Sequence, residues 1–92
     1  MRQGKKIVHN HSTFIPGLKQ AMREIATWDE VDSVVPGRIS RGGRTPGFVI
    51  TIQRDTESGL KCIAKHGSGN QDLYITTSQP DRVRQRLADL RP

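Results

Sequence analysis

Several things that whole classes of protein depend on are missing from this sequence. Cys62 is the one cysteine, so no intrachain disulfide can form. No apolar run approaches the roughly 20 residues of a membrane-spanning helix. The first apolar pair, Ile7-Val8, gives way at once to His9-Asn10-His11, which is unlike a signal peptide. Together these absences lead us to expect a reducing, cytoplasmic setting. Aromatic residues are scarce: Phe14, Trp28, Phe48 and Tyr74 are the full set. Few side chains are therefore on hand to stack with unpaired bases. A length of 92 residues leaves room for a single domain over 1–92, with residues 1–6 as a flexible basic arm.

Acidic residues are also missing, from two long stretches. The chain carries 15 Lys+Arg against 9 Asp+Glu, a formal charge of +6. From Met1 to Arg23 there are basic residues and no acid, and the same holds from Pro36 to Arg54. The excess is therefore segregated, and a segregated positive field attracts polyanions. The second stretch contains Arg38, Arg41 and Arg44 interleaved with glycines. Guanidinium forks pair with phosphate oxygens, and glycine lets backbone N–H groups approach them. Lys61 and Lys65 alternate with Ile63, so both point from one face of a strand. Lys5 and Lys6 add to the arm.

The apolar pattern gives the fold class. Leu18, Met22 and Ile25, with Ala21, fall on one helical face between Pro16 and Trp28. Pro16 suits the first helical position. Val34 to Ile39 reads as extended. Phe48, Ile50 and Ile52 alternate with Val49, Thr51 and Gln53, and Leu60, Cys62 and Ala64 alternate with Lys61, Ile63 and Lys65. These are two strands of a hairpin. Asp72 to Thr76 supplies another, with Tyr74 on the face opposite Leu73 and Ile75. Ser78-Gln79-Pro80-Asp81 has the form of a helix start capped by Ser78. Val83, Leu87 and Leu90 then mark a second apolar stripe. The predicted fold is α+β, in the order (β)-α-β-β-β-β-α, an antiparallel sheet of three to five strands with two helices on one face.

Three histidines raise metal and enzyme chemistry. His9 and His11 leave an extended chain on the same face, close enough to hold one ion. Cys62 and His66 are further candidates, but four residues of strand separate them by about 13 Å. Cys62 shares a face with Leu60 and Ala64 and reads as a buried hydrophobe, and His66 reads as an exposed turn residue. A histidine-dependent ribonuclease is a further alternative, since imidazole titrates near neutral pH. Ser12 beside His11 is not a catalytic pair by adjacency alone, and Gly67-Ser68-Gly69 lacks the lysine of a phosphate loop. The reading leans away from an enzyme.

Longer strings carry a resemblance. His11-Ser12-Thr13 before Ile15-Pro16-Gly17-Leu18, then Pro36-Gly37-Arg38-Ile39-Ser40-Arg41, then Lys61 with Ile63-Ala64-Lys65 and Gly67, then Gln71-Asp72 with Ile75-Thr76, span Val8 to Thr77. This pattern resembles a family of short bacterial and archaeal proteins of unknown function, described as predicted metal-binding. The resemblance implies a metal role for His11 and His9, with zinc or another transition metal as the ion.

The expected function is a non-enzymatic nucleic-acid-binding module, RNA before DNA, using Arg38, Arg41, Arg44, Lys61, Lys65, Lys5 and Lys6 on phosphates. A folded or double-stranded target fits the shortage of aromatics best. The alternatives are metal binding by His9 and His11 and contact with an acidic protein partner in an assembly.

Overall fold

The structure, a computed structural model, describes residues 7–8, 15–40, 47–67 and 69–90. Seven elements follow one another: β1 (Ile7–Val8), α1 (Leu18–Ala26), β2 (Ser33–Ser40), β3 (Val49–Thr56), β4 (Gly59–His66), β5 (Gly69–Thr76) and α2 (Pro80–Asp89). The protein is an α+β fold, as the apolar pattern predicts. The basic arm, His9, His11, Arg41 and Arg44 lie outside the described residues.

The strand order is β1-β2-β5-β4-β3. β3, β4 and β5 form the expected antiparallel meander. β2 does not continue it: it pairs antiparallel with β5, at the far side of the sheet from β3. This is a Greek-key arrangement. Eight residues separate Ser40 from Val49. At no more than about 3.6 Å each, they are long enough to cross the intervening strands, spaced about 4.8 Å apart. β1 runs parallel to β2, with Ile7 beside Ser33 and Val8 beside Val34. A parallel neighbour needs a crossover, and α1 provides it.

Both helices cover the same face of the sheet. Leu18, Met22 and Ile25 of α1 and Val83 and Leu87 of α2 are buried in one cluster with Val34, Leu60, Cys62, Leu73 and Ile75. Trp28, Val31 and Phe48 belong to the same cluster. The alternation read from Leu60 to Ala64 continues on β5, where Leu73 faces Cys62 and Ile75 faces Leu60.

Both helix starts differ from expectation. Gly17 has φ 82°, outside the right-handed region, so α1 begins at Leu18 and Pro16 belongs to the preceding turn. Ser78 does not cap α2. Gln79 holds that position without a side-chain hydrogen bond, and Pro80 is the first helical residue. The Gln79 N–H is instead taken by the buried Thr77 hydroxyl at 2.9 Å, and that hydroxyl donates to the Glu30 carbonyl. One threonine thus joins the end of β5, the α1–β2 loop and the start of α2.

Two register shifts break the ladders. β2 shifts between Pro36 and Ile39 against β5, and β3 shifts between Ile52 and Arg54 against β4. Each shift inserts one extra residue relative to the partner strand and redirects the side chains that follow it.

Candidate functional site

The sheet has two unlike faces, and the candidate residues divide between them. On the face covered by helices, Leu60, Cys62, Ala64 and His66 of β4 are all buried. His66 is 4% exposed. The expected exposed turn residue is therefore an inward residue, because β4 runs two positions beyond Ala64 and keeps its alternation to the end. Beside it, on the same face of β5, lies Gln71, which pairs with Ala64 and is 0% exposed. Among the described residues neither the Oε1 nor the Nε2 atom of Gln71 has a hydrogen-bond partner. An amide buried in this way costs roughly 1–3 kcal/mol.

Cys62 also sits on this face, fully buried, and burial pushes its thiol pKa up to about 12 despite the opposing charge of Arg84. The nucleophilic and metal-ligating form of cysteine is the thiolate. Cys62 is therefore a small core residue, as its neighbours in sequence suggest. Four positions of strand keep it far from His66. Among the described residues no three His, Cys, Asp or Glu side chains come together in a way that could hold a metal ion. A metal centre would have to draw on His9 or His11.

The other face carries the charge. Lys61, Ile63 and Lys65 of β4 point away from the helices, as do Asp72 and Tyr74 of β5. Arg54 pairs with Lys61 and so joins them. Strict alternation from Ile50 and Ile52 would send Arg54 inward, and the extra residue at Gln53 turns it outward. Arg38 is exposed in the β2 bulge, opposite Asp72. The described part of this face thus holds Arg38, Arg54, Lys61 and Lys65 against a single carboxylate.

That carboxylate is engaged. The Lys61 ammonium lies 3.7 Å from Asp72 Oδ2 and 5.9 Å from the centre of the Tyr74 ring. Lys61 is half-buried and partly neutralised, which lowers its weight as a phosphate ligand. Arg38, Arg54 and Lys65 form no ion pair among the described residues.

The arginines of α2 are spent differently. Arg82 and Arg86 reach Glu30 at 3.9 and 3.2 Å, and Arg84 binds Asp81 at 2.6 Å and also Asp55. The Arg86 guanidinium stacks 4.5 Å from the Trp28 ring. Glu30 is held below the usual carboxylate range, first by a hydrogen bond from its own backbone N–H and then by Arg86. The arginines of α2 are therefore matched by the protein's own acids, whereas Arg38, Arg54 and Lys65 on the open face, like Lys19 and Arg23 of α1, form no ion pair among the described residues.

The described residues thus form a small α+β domain with an inward histidine on one face of its sheet and a basic, open surface on the other. The chain belongs to the family described as predicted metal-binding protein (DUF2103), which it matches over residues 2–89. No curated protein and no solved structure matches it.

Proposed function

We propose that the protein binds a transition-metal ion through imidazole, with His66 and at least one of His9 and His11 as ligands. The observation that carries this reading is the inward His66 beside the unpartnered amide of Gln71, in a chain of a family described as predicted metal-binding. Imidazole suits zinc, copper, nickel and iron. A ligating histidine donates its second N–H to a neighbouring acceptor, and a carboxamide oxygen such as Gln71 Oε1 is suited to that part.

Chain connectivity supports a shared site. The segment 9–14 leaves β1 at Val8 and reaches Ile15 and Gly17, and a Cβ on Gly17 would lie 3.4 Å from Phe48. Phe48 precedes Val49, the partner of Lys65, which is the neighbour of His66. Ile15, the described residue that follows the segment carrying His9 and His11 in sequence, is buried in the same core cluster as Phe48.

Native mass spectrometry with zinc, nickel, cobalt or copper, with and without chelator, tests the proposal. One ion per chain is expected, released by chelator and weakened at least 10-fold in His66→Ala and in His11→Ala. Failure to retain any of these ions at stoichiometric loading overturns it, as does full retention by both variants.

A second reading is favoured by the open face: binding of nucleic acid through phosphate contacts from Arg38, Arg54 and Lys65, joined by Arg41 and Arg44 from the sequence between β2 and β3. Its support is the unpaired positive charge described above. Anisotropy titration against RNA and DNA at several salt concentrations tests it. Charge reversal at Arg54 and Lys65 together with Arg38 should flatten the logarithmic salt slope by about two to three units. Millimolar affinity at low salt, or affinity indifferent to salt, ends this reading.

A further inference from the structure

We propose that the open sheet face takes single-stranded nucleic acid, with Tyr74 as the platform on which one unpaired base stacks; this rests on the second reading above and specifies its target. The scarcity of aromatics favours a duplex only while their placement is unknown. Tyr74 stands on β5, flanked by β2 on one side and β4 on the other, and thus near the middle of the open face. It is 39% exposed, one of two large hydrophobic residues that are exposed among those described.

The ring is held in place from beneath and from the side. The Cδ2–Cε2 edge of Tyr74 lies so close to Gly37 that a Cβ there would come within 2.7 Å of it. Gly37 belongs to the β2 bulge, and its missing side chain lets the ring settle over the neighbouring strand. On the other side is Lys61, positioned by Asp72. A ring fixed in this way gives up little rotamer freedom when a base meets it.

Around the ring stand the phosphate ligands. Arg54 lies across β4 in the same row, and Lys65 lies two rows along, next to the exposed Val49. Arg38 lies on the β2 side, beside Gly37. Neighbouring strands are about 4.8 Å apart and alternate residues about 6.7 Å apart. The cations therefore ring the tyrosine at distances a flexible single strand can span. A duplex keeps its bases stacked inside and presents phosphates on a convex surface, so Tyr74 would have no part in binding it. An open sheet with a central aromatic and peripheral cations is a known physical solution for single strands.

The experiment is anisotropy with a labelled 12-nucleotide oligo-U, a 12-base-pair RNA duplex and heparin, on the wild-type chain and on Tyr74→Leu, Tyr74→Phe and Lys65→Glu. Tyr74→Leu is expected to lose roughly 5- to 160-fold on oligo-U, the range for one stacked base, and nothing on duplex or heparin. Tyr74→Phe should bind oligo-U as the wild type does, and Lys65→Glu should weaken all three. Thermal melts establish that the variants are folded, and if Tyr74→Leu is not, Tyr74→Thr, a β-branched residue suited to a strand, takes its place with the same expected loss on oligo-U. Equal binding of oligo-U by wild type and a folded Tyr74→Leu overturns the stacking role while leaving phosphate binding intact. Absence of binding to all three polyanions overturns the reading beneath it.

Discussion

Gly59→Ala is expected to unfold most of the protein at temperatures where the wild type is intact. A Cβ at this position would sit 1.9 Å from the Ile75 carbonyl oxygen and 2.9 Å from the Thr77 nitrogen. Both are backbone atoms, held by the β4–β5 ladder and by the bond from the Thr77 N–H to the Ser58 carbonyl. No rotamer change relieves such a contact, so the strands must separate. The cost is on the order of 3 kcal/mol or more, at the upper end for overpacking. A domain of this size has a total stability of about twice to three times that. The melting temperature, followed by circular dichroism, should fall by more than about 12 °C. Ser58→Ala, one residue earlier in an exposed turn, should fall within about 0.5 kcal/mol of wild type. Equal melting temperatures for Gly59→Ala and wild type would show that β4 and β5 do not meet as described.

Gln71→Leu should move two quantities in opposite directions. Leucine fills nearly the same volume and removes an amide that is buried with neither of its polar atoms bonded. The metal-free protein should gain about 1–3 kcal/mol, measured by urea denaturation. If the amide orients a ligating imidazole, metal affinity should at the same time fall roughly 10- to 100-fold. A stability gain with unchanged metal affinity would remove Gln71 from the metal site. A stability loss would mean that the amide is satisfied after all. A residue that weakens the fold and strengthens a site marks the place where function has been given priority over packing.

The parts of this molecule that sequence makes legible are those set by local periodicity. The stripe of Leu18, Met22 and Ile25 predicts α1 to within two residues, and the alternation from Phe48 to Ile52 and from Leu60 to Ala64 predicts the β3–β4 hairpin and its buried face. The family resemblance, read from the His-Ser-Thr string and the segments after it, is likewise met by the match over residues 2–89. What is not legible depends on contacts distant in sequence. Nothing in Val34 to Ile39 announces that β2 will pair with β5 rather than β3. The burial of His66 follows only once β4 is known to continue past Ala64. Arg54 moves to the basic face because of one extra residue at Gln53, and a bulge leaves no mark in an alternation that stops there. Lys61 is the opposite case: its face is predicted correctly, but its partnership with Asp72 is a cross-strand contact that only the register supplies.

The bulge in β3 has one more effect. Among the described residues β3 is the last strand of the sheet, so its outer row of amides and carbonyls has no strand beside it there and is a template for another strand. From Val49 to Ile52 that rim is regular and greasy, the kind of template on which chains add to one another. The kink at Gln53, with Arg54 and Asp55 behind it, spoils the template halfway along, leaving any intruder four residues or so to grip. The irregularity that brings a guanidinium to the charged side thus also works against strand addition at the sheet's margin.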